Sequence, residues 1–274
     1  MQHIIKKMEQ RYLELQSNLN DQEQKPVVAV WGLMNAGKSY LLNMLTDHFG
    51  EEYFKTNDFR ETAEIKKYES NQIIYLDTPG LDANESDNLE AIRGVARADV
   101  VLFVHQPQGE LEQIELNFLH SLKNSFGEYA EKNIVLIISK TDKEDEEKIQ
   151  QIEMRMLEQC EKLLNFKPVI FQISNTRFHK GMNEHKAGLT QASHIVELSA
   201  FIQKIAAHSQ GINRQRTQLE LNNLSDEVAE LVEQLCNKKE QRIRQLKKEF
   251  NEFNHVADDL RKYITDSRKR YSSL

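Results

Sequence analysis

Two kinds of hydrophobic pattern alternate along the chain. Short apolar runs, typical of buried strands, occur near residues 27–32, 63–68, 72–77, 99–104, 134–139 and 169–173. Segments with helical periodicity separate them near 38–48, 86–97, 110–126, 144–164 and 193–207. This alternation predicts an α/β domain with a mostly parallel six-stranded sheet covered by helices on both faces. The stretch 175–190 has little periodicity, which predicts a mobile loop.

Both flanks of this region have helical patterns. Apolar side chains at the start of the chain predict an amphipathic helix that ends before Pro26: Ile4, Met8, Tyr12, Leu15 and Leu19. After Gly211 there is no Gly or Pro, and a mostly apolar stripe recurs at alternating spacings of four and three: Val232, Cys236, Lys239, Ile243, Leu246, Phe250, Phe253, Ala257, Leu260 and Ile264. An earlier seam, Leu221 to Leu235, leads into it one residue out of phase. The pattern predicts either one long helix that needs a partner helix, or a hairpin with a bend near 237–241.

Three regions follow from these patterns: an N-terminal helix (1–25) that packs with C-terminal helices, an α/β domain (26–208), and a helical or coiled-coil region (209–274). No apolar run is long enough to span a membrane, and the first twenty residues lack the apolar core of a signal peptide. Cys160 and Cys236 lie far apart without metal-ligand spacing. Together with the 29% of charged residues, these features lead us to expect a cytoplasmic protein.

Charge is distributed unevenly. The chain carries a net charge of −7, but residues 237–274 contain 11 Lys or Arg against 6 Asp or Glu. A basic C-terminal segment on an acidic protein favours self-association, or contact with an acidic surface such as lipid or RNA. The alternative is a solvated helix face.

A glycine-rich segment follows the first predicted strand and opens the first predicted helix of the α/β domain. Residues 32–39, with the sequence GLMNAGKS, fit the phosphate-loop pattern G-x-x-x-x-G-K-[ST]. Gly32 and Gly37 allow a tight turn whose N–H groups converge on phosphate oxygens. Lys38 would reach the outer phosphates, and the Ser39 hydroxyl would bind Mg²⁺. The candidate nucleotide-binding residues here are Asn35, Ala36, Gly37, Lys38, Ser39 and Tyr40.

A second motif, Asp77-Thr78-Pro79-Gly80, follows another apolar run. An acidic residue at the carboxyl end of a strand can hold Mg²⁺ through water, which is the role expected of Asp77. Gly80 can offer its N–H to a γ-phosphate. On its own, this tetrapeptide is also compatible with a plain turn.

Two further segments end the last strands. Ser139-Lys140-Thr141-Asp142 resembles the base-reading N/T-K-x-D element of GTPases, and Ser174-Asn175 is similar to their short S-A element. The resemblance implies that Asp142 accepts from the N1–H and 2-amino groups of guanine and that the Lys140 stem covers the ring. Adenine lacks those donors, so a carboxylate selects guanine. Ser139 replaces the usual Asn or Thr, which is expected to loosen the base site.

Together the four motifs resemble the TRAFAC class of translation-factor-related GTPases over residues 26–207. Asn35 makes the loop similar to those of Era-like and tRNA-modification GTPases, in which the corresponding asparagine helps bind K⁺. The flanking helices look like those of bacterial dynamin-like proteins. The chain departs from that family in being short for a full dynamin stalk and in lacking an evident membrane-insertion loop.

The resemblance also bears on catalysis. Leu81 stands where Ras-like enzymes carry the glutamine that orients water, and leucine cannot do this. The implied slow hydrolysis would be corrected by another group, often upon dimerisation. Candidates are K⁺ at Asn35 and Arg60; the alternatives are a turn-compatible asparagine and a surface arginine. Thr62 is predicted to be the switch threonine on Mg²⁺ and γ-phosphate, with Thr56 as the alternative.

The sequence thus predicts a Mg²⁺-dependent GTPase that is dynamin-like, self-associates through its α/β domain and helices, and couples GTP state to its helical region. A membrane surface or a protein assembly is the expected partner of the basic helix. One alternative is an Era-like RNA-associated factor. It is disfavoured because no RNA-binding signature appears, and because Phe250 and Phe253 fall in the apolar stripe. Another is a GTP-binding adaptor with little turnover. The histidines share no spacing with carboxylates or cysteines that would suggest a metal site.

Overall fold

The structure is a computed structural model that describes residues 2–20, 25–55, 65–78, 98–209 and 211–272. The helix predicted at 86–97 lies outside these residues. Contacts divide the chain into two units: Leu13–Gln218 forms one, and Met1–Tyr12 with Leu219–Leu274 forms the other.

A six-stranded sheet organises the first unit. Its strands are β1 (Val27–Trp31), β2 (Lys66–Glu69), β3 (Ile74–Asp77), β4 (Val100–His105), β5 (Ile134–Ile138) and β6 (Val169–Gln172). Their order is β2-β3-β1-β4-β5-β6. Only the β2–β3 pairing is antiparallel; the other four are parallel. The predicted mostly parallel sheet is therefore confirmed.

The central strands are apolar on both faces because helices cover both sides. In β1, Val27, Ala29 and Trp31 belong to one buried cluster, whereas Val28 and Val30 belong to the other. This is the period-two alternation of side chains across a strand. A parallel sheet of this kind needs near-continuous apolar strands, and so they were recognisable in the sequence.

Nine helices are described. They are α1 (Gln2–Asn20), α2 (Lys38–Leu45), α3 (Gln113–Phe126), α4 (Ala130–Asn133), α5 (Glu146–Leu164), α6 (Asn175–Asn183), α7 (Ala187–Gln191), α8 (Ile195–Ser209) and α9 (Ile212–Tyr271). Short 3-10 turns occupy Gly127–Tyr129 and Thr141–Lys143. None of the helices in the described ranges combines the length and apolar character needed to cross a bilayer.

The prediction of a mobile loop at 175–190 is wrong, because α6 and α7 occupy most of it. Ser174 caps α6 by accepting a hydrogen bond from the backbone N–H of Arg177 at 3.0 Å. Gly181 lets the two helices approach closely: a Cβ there would lie 2.5 Å from Thr190 Oγ1. Close backbone packing stabilises these short helices. Because they do not depend on an apolar stripe, their sequence shows little hydrophobic periodicity.

The C-terminal region forms one unbroken 60-residue helix, so the hairpin alternative is wrong. Its first turns belong to the unit that contains the sheet. There Arg216 is buried, donates to Ser125 O at 3.0 Å and to Ala98 O at 2.8 Å, and stacks on Phe126 with its guanidinium 3.6 Å from the ring centre. An arginine whose donors meet carbonyls and whose flat face meets an aromatic ring holds the start of α9 in place.

Candidate functional site

The carboxyl ends of the parallel strands form one edge of the sheet, where open α/β folds bind ligands. The segment between β1 and α2 is the glycine-rich loop. Gly32 has φ 155°, and a Cβ there would lie 2.1 Å from the carbonyl oxygen of Val104. Gly37 has φ 92° at the start of α2. Both positions therefore require glycine for structural reasons, in agreement with the sequence pattern.

Lys38 and Ser39 occupy the first turn of α2, where the phosphate-loop pattern places them. Lys38 is 8% exposed, and its Nζ donates to the carbonyl oxygens of Gly32 and Leu33 at 2.9 Å each. The ammonium group thus lies against the loop itself. This position suits a group that would exchange carbonyl partners for phosphate oxygens.

Asp77 ends β3 beside this turn. Its Oδ2 accepts a hydrogen bond from the Ser39 hydroxyl at 2.7 Å, whereas its buried Oδ1 has no hydrogen-bond partner among the described residues. Burial raises the pKa of the Asp77 carboxyl, against the opposing effects of Ser39 and Lys38. A buried carboxylate with an open oxygen beside a serine hydroxyl provides the oxygen ligands that Mg²⁺ prefers, so these residues fit the expected magnesium site.

Ser139 links the segment that was predicted to read the base to the glycine-rich loop. It is fully buried, and its hydroxyl lies 2.7 Å from Ala36 O and 3.1 Å from His105 O. Lys140 has φ 53° and donates from Nζ to the backbone oxygen of Asn35. The sequence identified Ser139 only as a departure from the family pattern, and it did not reveal this connection to the loop.

Asp142, Ser174 and Asn175 meet beside the same loop. The Ser174 hydroxyl donates to Asp142 Oδ1 at 2.5 Å. The Asn175 side chain donates to Gly37 O at 3.4 Å, and its buried Oδ1 has no hydrogen-bond partner within the described ranges. The structure therefore brings together the two segments that were expected to read the base.

Asn35 and Tyr40 have surroundings that the sequence could not specify. Asn35 is exposed with φ 61°, a left-handed conformation that asparagine tolerates. Its proposed contact with K⁺ stays a prediction. The Tyr40 hydroxyl is 3.0 Å from His179 Nδ1, and His179 Nε2 is 2.9 Å from Phe49 O. Burial raises the pKa of Tyr40, and this hydroxyl is engaged with α6 rather than with the loop.

Several predicted residues lie outside the described part of the chain. Thr62, its alternative Thr56, Arg60, Gly80 and Leu81 are in this group. Their assigned roles at the γ-phosphate stay predictions.

Sequence reasoning missed a buried ion pair at the carboxyl end of β4. His105 Nδ1 is 2.9 Å from Glu115 Oε1, and Nε2 is 3.0 Å from Gly109 O. Burial lowers the pKa of His105, but the hydrogen bond and charge of Glu115 outweigh this, and the pKa is raised. Because both ring nitrogens face acceptors, the geometry favours the protonated imidazolium. Within the described ranges, no cluster of three or more His, Cys, Asp or Glu side chains is arranged to hold a metal ion.

The capping pattern at the start of α3 was a usable signal for Glu115. Its Oε2 accepts from the backbone N–H of Glu112 at 2.9 Å, and together the two glutamates form a capping box. A glutamate three residues after the helix cap is fixed in position. Its second oxygen is then free to meet a histidine on a neighbouring strand.

The two cysteines are expected to differ sharply in reactivity. Burial raises the pKa of the Cys160 thiol to about 12, whereas Cys236 is exposed. At pH 8 only about one Cys160 in ten thousand would be a thiolate. Titration with a chromogenic thiol reagent should leave Cys160 unmodified in the native protein and detect it only after denaturation. Rapid modification of both in native conditions would contradict this burial.

The fold and the arrangement of the site resemble the P-loop GTPase domains of the TRAFAC class, among them those of Era-like and bacterial dynamin-like proteins. Residues 27–140 match the family model described as 50S ribosome-binding GTPase. Over 99 residues the chain is 36% identical to the GTPase Era of Campylobacter lari, and the match covers 34% of each protein. An uncharacterised protein of Acinetobacter baylyi is 32% identical over 187 residues, which cover 66% of this chain and 42% of that protein.

One similar solved structure comes from a study of an oligomerised bacterial dynamin pair described as a mechanism for long-range sensing and tethering of membranes. It covers 97% of this chain and 52% of that chain, with a TM-score of 0.52 and 17% identity. At this identity the similarity shows the fold alone. The chain spans less than half the length of the two curated relatives described above.

Proposed function

We propose that this protein binds GTP with Mg²⁺ and hydrolyses it to GDP and phosphate. The observation that carries this proposal is the convergence, at one edge of the sheet, of a glycine-dependent phosphate loop and a base-reading carboxylate. Ser139 and Asn175 hydrogen-bond the two together through the carbonyls of Ala36 and Gly37. A nucleotide long enough to reach from the phosphate loop to the Asp142 carboxylate would contact both.

At the phosphate end, the backbone N–H groups before α2 provide donors, and the helix N-terminus adds partial positive charge. Lys38 would hold the outer phosphate oxygens. Ser39 and Asp77 would hold Mg²⁺, Asp77 through water; the bound ion supplies positive charge to the phosphates. Asp77 Oδ1, which has no hydrogen-bond partner among the described residues, is the oxygen available for this role.

At the base end, Asp142 would accept two hydrogen bonds from guanine. Ser174 already holds one carboxylate oxygen at 2.5 Å, which orients the group before ligand binding. Lys140 and the backbone at Ser174 and Asn175 would complete the base site. The carboxylate needs a donor on the base, and so guanine is the expected base.

We further propose that residues 26–208 form the GTPase domain, and that the helices at 1–25 and 209–274 respond to its nucleotide state through self-association. Support for a dynamin-like role comes from the 97% coverage by the bacterial dynamin fold and from the basic end of α9. In this role the protein would be cytoplasmic or peripheral at a membrane, with a membrane surface or protein assembly as partner.

An Era-like association with RNA or ribosomes is the second candidate. The observation that favours it is the 36% identity to Era over 99 residues. A GTP-binding adaptor with little turnover remains the third candidate, because it requires only the binding residues. Co-sedimentation with anionic vesicles, compared with ribosomes, would separate the first two candidates.

Calorimetry with GTP and excess Mg²⁺ is the primary test of binding. Hydrolysis should then be followed as a function of protein concentration, in K⁺ and in Na⁺. Activity per molecule that rises with concentration would support activation by dimerisation, and dependence on K⁺ would support the role of Asn35. Absence of binding would overturn the proposed function; binding without turnover would leave the adaptor.

Asp142→Asn is expected to weaken GTP binding by about 100-fold and to improve tolerance of xanthosine triphosphate. The loss follows from replacing a charged acceptor of two hydrogen bonds by an amide. Xanthine carries a carbonyl in place of the 2-amino group, and the amide N–H₂ can donate to it. Competition between the two nucleotides would measure the change.

Asp145→Asn is the matched control for this change. Asp145 precedes α5, is exposed, and makes no side-chain capping hydrogen bond. The Asp145→Asn substitution removes the same charge three residues away from Asp142, so the preference for guanine should be retained. An unaltered preference in Asp142→Asn would mean that the base is read elsewhere.

A further inference from the structure

An exposed apolar seam runs along α9 from Val232 to Tyr271. Phe250 and Phe253 are 65% and 66% exposed, and most neighbouring seam residues are similarly open. By contrast, Leu224 in the earlier seam is 3% exposed. Within the described residues nothing covers the later seam. A contiguous stripe of large apolar side chains on the surface marks an interaction site.

The seam has the seven-residue repeat of a coiled coil. Spacings of three and four assign its residues to the two core positions, with Ile243, Phe250, Ala257 and Ile264 at a, and Leu246, Phe253 and Leu260 at d. The repeat extends to Val232 and Cys236 on one side and to Tyr271 on the other, and two of its d positions are polar, Lys239 and Ser267. A sustained 3.5-residue period requires a second helix wound around the first.

We propose that a second copy of this chain covers the seam as an antiparallel two-stranded coiled coil. Its twofold axis would pass between the layers of Phe250 and Phe253, so that each Phe250 packs on Phe253 of the second copy. In the same register, Leu246 faces Ala257, and Ile243 faces Leu260. Such an interface is self-complementary, as a twofold axis requires.

Flanking charges favour this arrangement. In an antiparallel pair the e positions of the two helices face each other. The proposed register sets Glu240 against Arg261 of the second copy and Glu233 against Arg268 of the second copy. Symmetry repeats each pair, giving four attractive contacts. In this register, no two facing side chains beside the core carry charges of the same sign.

A parallel pair is disfavoured by the same charges. It would set Arg242 at a g position against Lys247 at the following e position of the second copy. It would also place residues 219–235, which carry five acidic and no basic side chains, beside their own copies. Antiparallel pairing avoids both contacts.

Neighbouring antiparallel registers are also disfavoured. Sliding one helix by one heptad, so that the axis moves half a heptad towards the amino end, faces Lys247 with Lys247 of the second copy. The opposite shift faces Lys247 with Arg261. Sliding by two heptads, so that the axis moves one heptad towards the amino end, keeps favourable charges but places Phe250 against Lys239, which removes the aromatic layer. Of these registers, only the Phe250–Phe253 register keeps the aromatic layer without bringing like charges together; in it Lys239 faces Ile264 of the second copy.

Sedimentation velocity of the full chain, without nucleotide, tests the pairing apart from any nucleotide-driven contact. We expect a dimer for the wild type. Leu246→Glu combined with Phe253→Glu should raise the dimer dissociation constant at least about 100-fold by burying charge in the seam. The control is the double variant Gln241→Glu with His255→Glu. It adds two acidic groups on the helix face opposite the seam and should leave the dimer intact.

GTP binding by the seam variant should equal that of the wild type, because the seam lies in the other unit from the nucleotide site. This separates failure of the pairing from failure of the proposed function. A wild type that stays monomeric at about 100 µM, or a seam variant that dimerises as tightly as the wild type, would overturn the proposal.

The exposed thiol of Cys236 tests the orientation. In the proposed register Cys236 faces Ser267 of the second copy, and the two Cys236 residues lie ~46 Å apart. A short bismaleimide should therefore link Ser267→Cys into covalent dimers but not the wild type, whose other cysteine, Cys160, is buried. Thr265→Cys, on the outer face, is the control. Efficient linkage of wild-type Cys236 to itself would show parallel pairing and overturn the proposal.

Discussion

Replacing Lys38 by alanine is expected to weaken GTP binding by at least about 100-fold. The ammonium group lies in the first turn of α2, against the carbonyls of Gly32 and Leu33 at 2.9 Å. Charge-assisted hydrogen bonds to phosphate contribute about 1.5–3 kcal/mol each, and alanine would remove them all. Calorimetric titration with GTP in excess Mg²⁺ would measure the loss.

The fold should survive this substitution. Alanine is a strong helix former at the start of α2, so the helix should be retained although the two buried hydrogen bonds of Lys38 are lost. Circular dichroism should therefore show the same helix content and the same long helix. Lys132→Ala is a matched control, because Lys132 is an exposed lysine on α4, before the amino end of β5. Retained micromolar affinity in Lys38→Ala would contradict the assigned position of the phosphates.

The same substitution distinguishes two explanations for the glycine-rich loop. If the loop were only a tight turn, Lys38 would serve to hold its carbonyls, and the variant would lose stability without a specific loss of ligand. If the loop binds phosphates, the loss should fall mainly on triphosphate affinity. Comparison of the free energy of unfolding with the binding free energy separates these outcomes.

Much of the fold was accessible from the sequence because a parallel sheet buried on both faces needs apolar strands. The apolar runs Val27–Trp31 and Ile134–Ile138 have to be buried within the sheet, because at the surface they would expose a large apolar area to water. Since parallel strands end at one edge, the motifs that follow them had to converge there. The proximity of Asp142 and Ser174 was predictable on this basis.

Other features depended on tertiary packing that leaves little trace in the sequence. The helices within 175–190 rest on the close approach at Gly181 rather than on apolar periodicity. The reach of Ser139 to Ala36 spans 103 positions and needs the register of β5 against β4. No local pattern specifies such a contact. Glu115 had a local capping signal in the sequence. Its contact with His105 could not be predicted without knowing the position of β4 relative to the helix.

The His105–Glu115 pair should make a large contribution to stability that a single substitution can measure. Glu115 is fully buried and His105 is 4% exposed. Removing one partner of a buried ion pair costs about 3–5 kcal/mol, because the other charge is left unsolvated. Against a typical total of about 5–15 kcal/mol, Glu115→Ala should lower stability severely.

Urea unfolding followed by fluorescence can measure this loss. The single tryptophan, Trp31, is fully buried and stacked on Phe118, so its emission should report unfolding of the sheet. Glu158→Ala is the control, because Glu158 and its partner Lys162 are mostly exposed. An exposed pair contributes about 0–1 kcal/mol, so this variant should unfold close to the wild type. A loss in Glu115→Ala no greater than in the control would refute a buried ion pair.

The pH dependence provides an independent check of the protonation state. The folded pKa of His105 is raised above its unfolded value, so the imidazolium contributes stability that is fully present below the unfolded pKa. That contribution should be lost as pH rises through the folded pKa. Glu115→Gln keeps the shape but removes the charge that raises the pKa. The stability difference between wild type and this variant should therefore be larger at pH 6 than at pH 9. A difference independent of pH would mean that His105 is neutral in the folded protein, with its buried nitrogens satisfied in another way.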